Sequence, residues 1–180
     1  IDHANNWFFR NVNERRDEFV YWITDSSLYN SEYLPIHITY QREDSLNNLF
    51  WGTDSLELRY VAKEEEKLGD TLNLKSNIKD GANIHLNHVA EFTSEIPIVS
   101  YDLEGFCLYR MIDSVYIEEE IDSYLDTTDN HSIILEKKWA PEQQYQLVVL
   151  PETVHSLYDQ YHKGPDTLNF KTRSKEEYGS

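Results

Sequence analysis

One cysteine in 180 residues, Cys107, leaves no internal disulfide to hold the chain, so its stability must come from burial. No run of 18 or more apolar residues occurs, which excludes a transmembrane helix within this sequence. Basic residues are scarce, with 16 against 33 acidic ones and a formal net charge of −17. Such a surface repels phosphate backbones and anionic lipid headgroups over a Debye length of about 8–10 Å, which argues against nucleic acid and membrane insertion. Basic proteins, cations and neutral glycans remain as partners. The sequence contains no Gly-x-Ser-x-Gly elbow, P-loop or dinucleotide fingerprint. Helical periodicity is nearly absent; only residues 152–158, after Pro151, predict a turn or two of helix, with Val154, Leu157 and Tyr158 on one side.

What is present favours strands. Thirteen Tyr, seven Phe and four Trp suit half-buried pleated surfaces. Leu56, Leu58 and Tyr60 alternate with Glu57 and Arg59, and Leu72, Leu74 and Ser76 with Asn73 and Lys75. That period of two puts one face in a core and the other in water. Predicted strands cover 7–9, 18–23, 34–41, 55–61, 71–78, 89–93, 106–112, 115–121, 132–138, 145–150 and 167–172. The charged stretch Lys63-Glu64-Glu65-Glu66-Lys67 has nothing apolar to bury and reads as a boundary. It separates a small or partial module, residues 1–66, from a sandwich-sized one, residues 70–175, with seven predicted strands.

A shift of 112 residues without gaps lays Tyr33-Leu34-Pro35-Ile36-His37-Ile38 over Tyr145-Gln146-Leu147-Val148-Val149-Leu150. It also lays Gly52-Thr53-Asp54-Ser55-Leu56 over Gly164-Pro165-Asp166-Thr167-Leu168. Strands of any sandwich share alternating leucines, but a match through strand, loop and strand favours duplication of a module. The expected fold is all-β: immunoglobulin-like antiparallel sandwich modules in tandem, the first incomplete. Trp139 should anchor the core of the second, with Leu147, Val149, Leu168 and Phe170 beside it.

Trp139-x-Pro141, Tyr145-x-Leu147-x-Val149, Asp159 after a polar turn, and Phe170-x-Thr172 resemble the C-terminal signature of bacterial Ig-like domains of the S-layer-protein type. The closing Arg173-Ser174-Lys175-Glu176-Glu177-Tyr178-Gly179 is similar to that of Ig-like lipoproteins of Bacteroidetes. The resemblance implies a piece of an exported parent, lipid-anchored outside these residues and shown at the outer membrane, cell surface or periplasmic face. It brings no catalytic residues; the family looks like stalks, spacers and recognition domains.

Four groups of residues bear on chemistry. Trp7, Phe50 and Trp51 each have an adjacent aromatic or sit beside a glycine, so one of each neighbouring pair should face outward and could stack on a sugar or anchor a protein. Packing within or between modules would use them equally well; Trp22 is assigned to packing, and Trp51, read as lying at a loop, to recognition. Asp122, Asp126 and Asp129, with Asn130, offer oxygens of the kind calcium takes, without the glycine of an EF-hand. A solubilising acidic loop accounts for them more simply, and no other cofactor is expected. His85 and His88, three apart, face opposite sides of a strand unless a turn at Asn87 intervenes. Glu118, Glu119 and Glu120 read as strand acids near a sheet edge, where like charge discourages aggregation, rather than as a glycosidase pair. Cys107, within 106–112, reads as a packed thiol. The expected role is a non-catalytic spacer, display or interaction module; a glycan- or protein-binding module using surface aromatics is the alternative.

Overall fold

A computed structural model of the protein describes residues 8–29, 31–59 and 71–178. Trp7 and the charged stretch 63–67 lie outside the described residues. The chain forms two units, Ile1–Lys67 and Leu68–Ser180.

The first unit holds two separate antiparallel hairpins. Strands β1 (Phe8–Val12) and β2 (Phe19–Ile23) form one, and a single-turn α1 (Ser26–Tyr29) follows. The Asn13 side-chain oxygen accepts from the N–H groups of Asp17 and Glu18 to close the β1–β2 turn. Trp22 is half-buried, and its indole N–H donates to Asn11 Oδ1 at 2.6 Å, consistent with a packing role. Strands β3 (Tyr33–Glu43) and β4 (Leu49–Arg59) form the second hairpin over eleven paired positions. Its turn is held by Asp44, whose carboxylate accepts from the N–H of Leu46 at 2.8 Å and of Asn48 at 2.9 Å.

The second unit is an antiparallel β-sandwich. Its strands are β5 (Leu74–Ser76), β6 (Ala82–Ile84), β7 (Ala90–Ser94), β8 (Ile98–Tyr101), β9 (Phe106–Ile112), β10 (Val115–Glu119), β11 (Asp122–Leu125), β12 (Ser132–Glu136), β13 (Gln144–Val149), β14 (Val154–Ser156) and β15 (Asp166–Thr172). One sheet runs β10-β9-β13-β15-β6, the other β11-β12-β7-β5, and β14 pairs with β8 apart from both. All pairings are antiparallel except β15 with β6. The all-β sandwich expected from period-2 patterning is therefore what forms.

Local chemistry explains the turns. Asp113 and Ser114 both adopt positive φ, 48° and 64°, as the two-residue β9–β10 loop of a tightly paired hairpin requires. Between β5 and β6 the chain crosses from one sheet to the other. Gly81 takes φ of +76°, where a side chain is strained, and its N–H donates to Asn169 O at 2.6 Å. Asp80 Oδ1 accepts from the N–H of Asn169 at 2.8 Å, so one turn docks β6 against β15. Gly105 is close-packed for another reason: a Cβ there would collide with the Thr153 side chain.

The core draws alternate residues from both sheets, including Phe92, Leu108, Ile133, Leu135, Leu147 and Val149. Trp139 follows β12 and is 5% exposed. Its ring meets Tyr145 edge-on at 5.1 Å and Phe170 at 5.3 Å, and its N–H donates to His88 O at 2.7 Å. Phe170, Leu147 and Val149 are buried as expected, while Leu168 is partly buried against the cluster. At the sandwich margin Glu119 receives Arg110 Nε at 2.6 Å and Lys137 Nζ at 3.0 Å, joining the end of β10 to the segment after β12.

Four expectations are corrected. Residues 152–158 are not helical; they contain β14, whose Val154 and Ser156 both point inward with period two and pair with β8, a strand the sequence pattern did not disclose. The single strand expected at 115–121 stops at Glu119, because the chain then passes to the opposite sheet and resumes as β11. The strand expected at 71–78 is shorter, with β6 added after it. The two segments matched by the 112-residue shift do each form an antiparallel pair, yet the registers differ by one residue: Ile36 faces Leu56, whereas Val148 faces Thr167. A one-residue slip turns a strand's side chains to the other face, so the inward-facing sets are not equivalent.

Replacing Trp139 with Ala should cost about 3–5 kcal/mol, because it empties a large aromatic site that cannot collapse. Chemical denaturation checks this, and a loss below about 1 kcal/mol would contradict the anchor role. The pH profile gives a second check. Hydrogen bonds from Asn169 hold the Asp80 carboxyl below the usual carboxylate range, and those from Thr128 do the same for Asp126. Carboxyls depressed in the fold contribute above the unfolded value of about 3.9 and lose that contribution as pH falls through the folded value. Burial chiefly raises the Tyr145 phenol, whose contribution is instead lost as pH rises from about 10. Thermal melts should therefore fall on both sides of a neutral plateau, and Asp80→Asn should flatten the acid limb.

Candidate functional site

The β3–β4 hairpin carries the two described residues of the aromatic group. Phe50 and Trp51 lie in β4, not at a loop, because the strand begins at Leu49. Phe50 stands opposite Arg42 and Trp51 opposite Gln41. As neighbours in a strand they project to opposite faces. Phe50 is partly covered by the Arg42 guanidinium, 4.7 Å from the ring centre. On that same face a Cβ at Gly52 would touch Arg42 and the Tyr40 ring, so the glycine admits both side chains. Tyr40 donates to Asp54 Oδ2 at 2.7 Å, and that hydrogen bond and charge raise its phenol above the ordinary value. Trp51 is 67% exposed and faces the side of Thr39, Thr53 and the His37–Ser55 pair. The structure thus separates Phe50 and Trp51 rather than joining them in one platform.

The acidic group is also divided. Asp122 lies in β11 opposite Glu136. Asp126 and Asp129 lie in the following turn and serve the backbone there: Asp126 Oδ1 accepts from Thr128 N at 2.8 Å, and Asp129 Oδ1 from His131 N at 2.9 Å. Among the described residues no three His, Cys, Asp or Glu side chains are placed to hold a metal ion. His85 and His88 are joined by a turn, His88 N donating to His85 O, and His88 Nε2 faces Asn77 Oδ1 at 3.3 Å. Cys107 is not in the core: β9 buries Phe106 and Leu108, which leaves the thiol half-exposed on the outer side with Sγ 3.6 Å from Glu104 O. Glu118 and Glu119 lie in β10, at a sheet edge as expected.

The concavity that sequence reasoning missed lies in the second unit. A groove of about 810 Å³ runs from the outer face of β11 and β12 over the end of the sandwich. It is lined by Ile134 and Leu86, both partly exposed, and by Tyr124 and Val89, which stand exposed along it, while Leu135 and Trp139 at its base are themselves buried in the core. Glu120, Asp122, Glu136 and Lys138 supply charge at its margin. Tyr124 faces Ile134 and Asp122 faces Glu136 across one ladder, so both pairs share the outer face. The signal available in advance was the alternation of Asp122 and Tyr124 with Ser123 and Leu125, which a loop assignment concealed.

No protein-family model matches this chain, and no curated protein matches it. No helix among the described residues is long and apolar enough to cross a membrane.

Since the turn places Asp126 and Asp129 on backbone donors and Asp122 on a strand, millimolar calcium should leave the melting temperature unchanged against chelator. A saturated native-state site would add about 2–4 kcal/mol and a clear upward shift, which would overturn this placement.

Proposed function

We propose that the second unit is an immunoglobulin-type module of an exported cell-envelope protein, acting as a non-catalytic spacer or display domain. Its strand order supports this reading. The first strand is split, β5 lying beside β7 in one sheet and β6 running parallel to β15 in the other. The remaining order, β11-β12-β7 facing β10-β9-β13-β15, is that of an immunoglobulin sandwich with one added edge strand. The observation that carries the spacer role is the dispersal of exposed aromatics over several elements, although Phe19 and Tyr21 share one face of the short β1–β2 hairpin with Phe8. Trp51 and Phe50 occupy opposite faces of one hairpin, while Tyr116 and Tyr124 belong to edge strands of different sheets. A row of rings along one face, suited to a sugar chain, would favour recognition instead.

The alternative, a glycan- or protein-binding module, is favoured by Trp51 alone, whose exposed ring would suit stacking. The resemblance to lipoproteins of Bacteroidetes supports export and lipid anchoring of the parent. Surface biotinylation of intact cells that make the parent, followed by fractionation, tests the placement. Labelled protein in the envelope fraction is the expected result, and unlabelled protein confined to the cytoplasm would refute it. A glycan array separates the roles: a spacer binds none of the spotted sugars, and saturable binding lost in Trp51→Ala would select the alternative.

A further inference from the structure

We propose that the groove across β11 and β12 is a docking site for a lysine- or arginine-bearing extended segment of a partner protein. This goes beyond the spacer reading and holds whether or not the parent is exported. Charge makes the first part of the case. Asp122 and Glu136 stand directly opposite each other on the outer face, with Cβ atoms about 4.5–5.5 Å apart in such a pair, and like charges so placed repel. Glu120 adds a third carboxylate at the same groove. Among the described residues none of the three enters an ion pair. Lys137 also lines the groove but is already committed, to Glu119 at 3.0 Å and to the Glu120 carbonyl at 2.7 Å. Lys138 alone remains to balance three acids, so the groove carries a local excess of negative charge.

Shape and apolar surface make the second part. Apolar surface lies beside these carboxylates: the Tyr124 ring, 48% exposed, stands beside Ile134 with Val89 nearby. A lysine or arginine matches this combination, because its methylene stem covers apolar surface while its cationic head meets carboxylates. An aromatic ring adds a face on which a guanidinium can lie. The groove is also flanked by β11, a sheet-edge strand whose outer backbone groups have no strand partner among the described residues. An extended segment can satisfy such an edge. A neutral sugar would use Tyr124 but would leave the opposed carboxylates repelling one another.

The test uses the whole 180-residue chain, labelled with nitrogen-15. It is titrated with a capped hexapeptide of alternating Lys and Thr, and separately with the matching Glu-Thr peptide and a neutral oligosaccharide. The expected result is saturable shift changes at Val89, Asp122, Tyr124 and Glu136 with the Lys peptide only, weakened at least fivefold between 50 and 300 mM salt. The variant Asp122→Asn with Glu136→Gln should lose at least fivefold in affinity while keeping the parent's dispersed spectrum. The control Asp113→Asn with Glu118→Gln, on the opposite sheet, should bind as the parent does. Absence of groove shifts, equal loss in the control variant, or shifts produced by the sugar instead of the Lys peptide would each overturn the proposal.

Discussion

Everything in the second unit depends on the contact between Trp139, Tyr145 and Phe170. Trp139 leaves the end of β12, in one sheet, and lands on Tyr145 and Phe170 of β13 and β15, in the other. Edge-to-face rings at these distances add to what burial alone provides. The polar atoms are satisfied as well: the indole N–H reaches His88 O, and the Tyr145 hydroxyl accepts from Ala140 N at 3.2 Å. A buried donor left unpaired would cost about 1–3 kcal/mol, so this hydrogen bonding allows an indole and a phenol into the core. It also ties the loop carrying His88 to the end of the sandwich, and that loop forms one side of the groove.

Around that cluster the two sheets are stitched differently at their margins. On one side the turn at Asp80 and Gly81 carries the first strand across and docks β6 on β15. On the other, Glu119 between Arg110 and Lys137 bridges the open edge where β10 overhangs. Removing one partner from such a partly buried group would leave its charge uncompensated. The acids Glu118 to Glu120 thus divide their work: one faces outward at an edge, one closes the sandwich, and one borders the groove.

The first unit is built on another principle. One hairpin has short arms of five residues and the other long arms of eleven, neither has a third strand among the described residues, and a lone two-stranded hairpin is marginal in water. Leu56 and Leu58, whose alternation predicted a buried face, are about half exposed. The period-2 pattern reported the strand correctly and the burial incorrectly, because alternation records which residues share a face, not whether another layer covers it. The one-residue difference in register from β13 and β15 has the same origin. A short turn sets pairing in the hairpin, whereas in the sandwich the core selects it.

The sequence by itself determined the strand composition, the inward alternation of β13 and β15, and Trp139 as a core residue beside them, since these follow from side-chain period and from the Trp-x-Pro turn that leads into β13. Its local patterns also indicated β2 and β3 of the first unit, but they began β4 six residues late, at Ser55 rather than Leu49. Only the tertiary structure decided which strands share a sheet, that Asp122 belongs to β11 opposite Glu136, and that Phe50 and Trp51 point apart. It alone made the groove, from residues about fifty positions apart. Strand pairing over such separations depends on how whole faces pack, and nothing in a local window of residues encodes the partner.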